Sequence, residues 1–236
     1  MDWTSFTSRD RLLKFATADM MSLTSRGLSA PADAKDENKV FAVTFGDPSR
    51  KENSPMTQQQ TEPVQIYETA TTQARVIIAG AKPDQMKNPT PCAEWDVAGL
   101  LDHMVKAQAG IAGTVSGGQV AQSGTPLERF DAAVSTMLTA VRSPGGLDKK
   151  VQGRQGEVPA VQMLSGACMD LAVHTWDLAK ATGQDTELDP GVVEFISPIV
   201  EGIAKRGPSQ VFSAPVDIPS SASRQDKLMA LTGRQP

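Results

Sequence analysis

Residues 159–183 read PAVQMLSGACMDLAVHTWDLAKATG, and this stretch decides the predicted fold. Its apolar residues recur at the spacing of one helix face, which predicts a single long helix. Gly183 is typical of the residue that ends a helix. The predicted buried stripe consists of Leu164, Cys168, Leu171 and Leu178. A helix with such a stripe needs other helices to cover it.

Two helices are predicted upstream, on either side of a loop rich in proline. Residues 63–82 carry apolar side chains at helical spacing, and so do residues 97–115. Three prolines between these segments forbid one continuous helix. Asp96 is well placed to cap the start of the second helix. Its predicted apolar face consists of Val97, Leu100, Leu101, Met104 and Ile111.

A third helix is predicted over residues 126–142, where Thr125 and Glu128 match the pattern of a capping box. Residues 143–158 are predicted to form an irregular crossover or a short hairpin. After the fourth helix, a fifth is predicted over residues 189–207, and a short extended piece and a short helix complete the tail. The predicted fold class is therefore all-α, a four-helix bundle with one or two extra C-terminal helices on its outside.

The N-terminal quarter of the sequence has a different character. Residues 1–61 show no sustained hydrophobic period and contain long polar segments, so we predict a mostly disordered extension there. Met56 is an alternative start of translation, because it lies just before the regular part. The predicted helical domain spans residues 62–236.

The composition excludes several classes of function. The chain has 236 residues and a formal net charge of −4, which argues against a general nucleic-acid binder. No apolar run is long enough for a membrane span, and no secretory signal is visible, so we expect a cytoplasmic protein without nucleic-acid or membrane partners. The two cysteines, Cys92 and Cys168, are expected to be reduced thiols.

The two histidines of the chain suggest a metal site. Asp170 and His174 are four residues apart, so they lie on the same side of the fourth helix, one turn from each other. His103 lies on the second helix. If these helices face each other, two imidazoles and one carboxylate can hold one divalent ion with open positions. The spacing alone leaves an alternative open, since such Asp–His pairs also occur as surface hydrogen bonds.

Two motifs carry a family resemblance. TPCAEWDVAGLLDHMV (residues 90–105) and DLAVHTWDLAKATGQ (residues 170–184) resemble an actinobacterial family of metal-binding proteins. That family is related to the N-terminal domain of mycothiol-dependent maleylpyruvate isomerase and belongs to the DinB-like superfamily of four-helix bundles. The ending VFSAPVDIPSSASRQDKLMALTGRQP is similar to the closing pattern of the family, with a Gly-Arg near the terminus. The resemblance covers about residues 64–236.

The resemblance implies a divalent metal ion held by His103, Asp170 and His174. Zinc is the main expectation, with nickel, iron or manganese as alternatives. The isomerase is expected to have a Glu-x-x-x-His pattern at the positions of Asp170 and His174. Aspartate has a shorter side chain than glutamate, so the carboxylate of Asp170 reaches less far toward a metal ion.

Several neighbours of these ligands have two interpretations. Asp177, three residues after His174, either orients an imidazole as an acceptor or is an ordinary polar helix position. Cys92 either approaches the site as a fourth ligand or thiol, or simply packs in its loop. Trp95 and Trp176 are predicted to be packing residues rather than substrate contacts.

Two functions are compatible with this pattern. The first is a metal-dependent enzyme of the S-transferase or isomerase type, with mycothiol or a similar thiol as cosubstrate and an electrophile as substrate. The alternative is a non-catalytic metal-dependent bundle that binds a small ligand or a partner. Only nearness in sequence makes Glu94 and Asp96 candidates for a general base. The isomerase has a further C-terminal domain, so we do not expect maleylpyruvate isomerisation itself.

Overall fold

The computed structural model describes residues 55–153, 156–207 and 212–236. These residues form six α-helices: α1 Pro55–Gly80, α2 Val97–Ser116, α3 Pro126–Arg142, α4 Ala160–Thr182, α5 Pro190–Ala204 and α6 Arg224–Leu231. A short 3-10 helix, Pro83–Gln85, follows α1. Strands β1 Lys150–Gly153 and β2 Gly156–Pro159 pair antiparallel between α3 and α4, where the sequence predicted a crossover or hairpin.

Helix α1 begins earlier than the sequence predicted. It starts at Pro55, so Pro63 lies inside the helix instead of opening it. The prediction relied on the apolar spacing, which begins at Val64. Glutamine is a good helix former, and the run Gln58, Gln59 and Gln60 favours continuation of the helix before Pro63. The rest of the predicted N-terminal extension, residues 1–54, lies outside the described residues.

The first four helices form a bundle, which confirms the predicted all-α class. Helix α1 packs against α3 and α4, and α2 packs against the same two helices. Helix α5 covers α4 and α1 from the outside, and α6 packs on α5. Within the described ranges, no helix combines the length and the apolar character that crossing a bilayer requires.

Helix α4 is enclosed from several directions, and this determines where polar groups are buried. It contacts α1, α2, α5 and both strands. The predicted stripe is buried, but so are Asp170, His174 and Asp177, which lie beside it. Each large apolar side chain buried here stabilises the fold by about 1.5–3 kcal/mol. A buried charge destabilises the fold unless it has a partner.

Caps fix the ends of the bundle helices as the sequence predicted. The Asp96 side chain accepts a hydrogen bond from the backbone N–H of Gly99 at the start of α2. Thr125 and Glu128 form the predicted capping box of α3. Helix α4 ends at Gly183, whose φ of +67° is left-handed.

Removal of the α3 cap should have a measurable cost. We expect Thr125→Ala to lower the free energy of unfolding by about 1 kcal/mol, because the N–H of Glu128 loses its acceptor. Thr125→Ser retains the hydroxyl and is the matched control. Chemical denaturation followed by circular dichroism measures both variants. Equal losses in the two variants would contradict the capping role.

Candidate metal centre

The three predicted ligands meet between α2 and α4. His103 Nε2 lies 3.5 Å from Asp170 Oδ1, and His174 Nε2 lies 3.6 Å from the same oxygen. The two imidazole rings are 4.7 Å apart between centroids and nearly perpendicular, at 80°. All three side chains are buried, with 6% of His103, 3% of Asp170 and 4% of His174 exposed. One turn of α4 supplies the Asp–His pair, and α2 supplies the second imidazole.

The facing atoms of this cluster have no hydrogen-bond partner among the described residues. This is true of His103 Nε2 and of both Asp170 oxygens. Ligand atoms held about 2.0–2.2 Å from a tetrahedral zinc ion lie about 3.3–3.6 Å from each other. The two observed separations fit that range. Unpaired buried carboxylate oxygens are costly, and a cation is the partner that these atoms suit.

Asp177 contacts the outer nitrogen of one ligand. Its Oδ2 lies 3.0 Å from His174 Nδ1, and the side chain is fully buried. A carboxylate can only accept a hydrogen bond, so this contact places a proton on Nδ1, and the other ring nitrogen, Nε2, faces Asp170. Of the two interpretations of Asp177, the geometry matches the orienting one.

The pKa values of the two buried carboxyl groups move in the same direction. Burial raises the pKa of Asp170, but the facing His103, His174 and Arg234 together outweigh it and hold the pKa below its ordinary value. Burial also raises the pKa of Asp177, and the hydrogen bonds from His174 and Arg234 bring it below the ordinary value. Both groups are therefore carboxylates at neutral pH.

A second possible ligand group, Cys92 with His174 and Asp177, shares one imidazole with the first. It is the poorer metal site, because both Asp177 oxygens already accept hydrogen bonds from Arg234. Burial is the main reason that the pKa of the Cys92 thiol is raised. Burial raises the pKa of Cys168 to about 12. Both cysteines are free thiols, as expected.

The two tryptophans near the ligands differ in their roles. Trp176 is 2% exposed and packs in the core, with Lys180 Nζ 4.7 Å from its ring centroid. Trp95 is half-buried and stacks on the His103 ring at 4.1 Å between centroids, with its edge toward His174 at 5.6 Å. The packing prediction describes Trp176 well, whereas Trp95 packs on the candidate site itself.

The two candidates for a general base do not lie in the cluster. Asp96 is committed to the cap of α2 and to an ion pair with Lys87. Glu94 is exposed in the loop before α2. The residue that sequence reasoning missed is Arg234, whose guanidinium is buried against Asp177. In the sequence, Arg234 was noted only as part of the Gly-Arg pair near the C-terminal end.

The position of Trp95 makes its fluorescence a test of occupancy. Titration with Ni²⁺ or Co²⁺, which quench nearby indoles, should reduce Trp95 emission because its ring stacks on His103. Trp95→Phe should lose most of this response. Trp176→Phe is the matched control and should retain it. A full response in the Trp95→Phe protein would contradict metal binding at this cluster.

Fold and site together define a class: a four-helix bundle with two imidazoles and one carboxylate facing each other across two of its helices. Residues 67–179 match the family model of the mycothiol maleylpyruvate isomerase N-terminal domain. The resemblance predicted from the two motifs is confirmed. The match includes α2, α3 and nearly all of α4, and therefore all three candidate ligands.

Two relatives come from Mycobacterium tuberculosis. They are the uncharacterized proteins MT0763 of strain CDC 1551 and Rv0738 of strain H37Rv. Each is 29% identical to this chain in an alignment of 179 positions that covers 73% of this chain and 98% of the relative. No solved structure matches significantly.

Proposed function

We propose that the chain binds a divalent metal ion through His103, Asp170 and His174. The observation that supports this most strongly is the convergence of buried ligand atoms without other partners between α2 and α4. Two neutral imidazoles and one carboxylate leave one net positive charge on a bound divalent ion. Such an ion still attracts an anionic ligand at an open position.

We infer that zinc is the preferred ion. A donor set of two histidines and one carboxylate is common in zinc sites that keep an open position. Imidazole also suits nickel and iron, whereas magnesium and calcium prefer oxygen ligands alone. The spacing of 3.5–3.6 Å between ligand atoms is compatible with short metal–ligand bonds.

The proposed activity is that of a thiol-using enzyme, of the S-transferase or isomerase type. The name of the matched family supports this step, because it refers to mycothiol, a low-molecular-weight thiol. A bound divalent ion would lower the pKa of a thiol that coordinates it at the open position. His103 and His174 would hold the ion, Asp170 would balance its charge, and Asp177 would keep the His174 ring oriented.

A second candidate is a non-catalytic bundle that binds a small ligand or partner through the metal. The burial of the ligands favours it, since no more than 6% of any of the three is exposed. In addition, Trp95 stacks on one face of the His103 ring. A substrate needs an open path to the ion, whereas a structural ion does not.

Incubation of the zinc-loaded protein with a panel of thiols and electrophiles separates the two candidates. The enzyme proposal predicts thiol consumption that depends on zinc and is lost in His103→Ala. The matched control is Asp102→Asn, which changes the half-buried neighbour of His103 that pairs with Lys106. Zinc binding without thiol consumption would overturn the enzyme proposal and support the second candidate.

A further inference from the structure

Arg234, the third residue from the C-terminal end of the sequence, is buried with 7% of its surface exposed. Its guanidinium forks onto Asp177: Nε donates to Oδ1 at 3.1 Å and Nη2 donates to Oδ2 at 2.8 Å. The remaining nitrogen, Nη1, donates to the carbonyl of Thr232 at 3.0 Å. Two parallel bonds of this kind fix the plane of a carboxylate as well as its position.

The same carboxylate contacts a proposed metal ligand. Asp177 Oδ2 accepts from Arg234 Nη2 and lies 3.0 Å from His174 Nδ1. A continuous chain of contacts therefore runs from the guanidinium through Asp177 to the His174 ring, whose other nitrogen faces Asp170. A carboxylate held at both oxygens cannot rotate, and so it holds the imidazole in one orientation.

The local fold of the tail brings Arg234 to this position. After α6 the chain turns at Gly233, whose φ of +81° is left-handed. A side chain at Gly233 would lie 2.5 Å from the Cβ of Ser213, so glycine is required there. The backbone N–H of Arg234 then donates to the carbonyl of Met229 at 3.1 Å. Lys180 of α4 donates to the carbonyl of Gln235 at 2.6 Å and ties the tail to the bundle.

We propose that Arg234 is a positioning residue of the metal site, acting through Asp177 on His174. This inference rests on the proposed metal-binding function. It makes the C-terminal tail a part of the site, although the three ligands lie on two bundle helices. Loss of an outer partner of a metal-bound histidine typically weakens metal binding about 10- to 100-fold. We expect Arg234→Met to weaken zinc binding by a factor in this range.

The central experiment is a double-mutant cycle on zinc affinity, measured by calorimetry with Zn²⁺ alone. Arg234→Met and Asp177→Asn should each weaken binding. If Arg234 acts through Asp177, Arg234→Met in the Asp177→Asn background should change the affinity by no more than about twofold. If the loss of zinc affinity in the double variant equals the product of the losses in the two single variants, the inference is overturned. Because the double variant leaves no unpaired buried charge, it should fold even if a single variant does not.

Two further proteins separate positioning from loss of structure. Arg234→Lys keeps a charge but not the fork, and should restore part of the affinity. Arg75→Met removes the same kind of side chain from the exposed ion pair with Asp131, and should bind zinc within about twofold of the native protein. The visible spectrum of bound Co²⁺ should change in Arg234→Met and stay native in Arg75→Met. An unchanged spectrum in Arg234→Met would contradict positioning.

The outcomes also separate this inference from the function on which it rests. A native protein that binds no Zn²⁺ would overturn the metal proposal, and the inference with it. If the native protein binds Zn²⁺ and Arg234→Met binds it equally tightly, the inference about Arg234 is overturned but the metal proposal is not. Weakened binding in Arg234→Met with a coupled double variant supports both.

Discussion

Asp170→Asn should remove the stabilisation of the protein by zinc. At a zinc concentration about 100 times the dissociation constant of the native site, binding adds about 2.7 kcal/mol to the free energy of unfolding. Loss of an outer partner of a ligand weakens metal binding by up to about 100-fold. Loss of a direct ligand should weaken it by at least this factor. The same zinc concentration would then add no more than about 0.4 kcal/mol to the variant. Thermal unfolding with and without zinc measures the difference.

The chain offers a matched control for this substitution. Asp102 lies beside His103 on α2, but its side chain is 45% exposed and pairs with Lys106 at 2.7 Å. Asp102→Asn makes the same chemical change outside the cluster and should retain the full zinc effect. His103→Ala and His174→Ala should behave like Asp170→Asn. Equal stabilisation of the Asp170→Asn and Asp102→Asn proteins by zinc would show that Asp170 is not a ligand.

Asp177→Ala should lower the free energy of unfolding by about 3–5 kcal/mol. The reason is that Asp177 is fully buried and is the partner of a guanidinium that is only 7% exposed. Removing the carboxylate leaves a buried cation whose desolvation is no longer offset. Chemical denaturation of the metal-free protein gives this loss without any contribution from zinc.

An exposed pair provides the comparison. Arg75 and Asp131 also form an ion pair, at 2.9 Å, but their side chains are 56% and 40% exposed. Asp131→Ala should change stability by no more than about 1 kcal/mol. The folded pKa of Asp177 lies below the unfolded value of about 3.9, so its contribution is present above that pH and lost as the pH falls further. Similar losses in the two variants would contradict a special role for the buried pair.

The bundle was predictable because its helix ends carry local signals. Asp96, the Thr125–Glu128 box and Gly183 each act through backbone groups within a few residues, and the structure has all three in those roles. The start of α1 was not predictable in the same way. The apolar spacing behind the prediction begins at Val64, and the helix propensity of the glutamines before Pro63 is too weak a signal to locate a helix start.

The candidate site was predictable in part for a related reason. Helical spacing puts Asp170 beside His174, and the short loops of a bundle bring α2 against α4, which places His103 opposite them. The contact of Arg234 with Asp177 joins residues 57 positions apart and depends on the turn at Gly233. Likewise, the stacking of Trp95 on His103 depends on how the proline-rich loop folds back. Periodicity carries no information on either contact.

Crystals of the protein grown with Zn²⁺, measured at the zinc absorption edge, would show whether the ion binds to the three proposed ligands. We expect one strong anomalous peak between α2 and α4, about 2.0–2.2 Å from His103 Nε2, His174 Nε2 and an Asp170 oxygen. A peak bound instead by Cys92 and Asp177, or no peak in this part of the bundle, would contradict it.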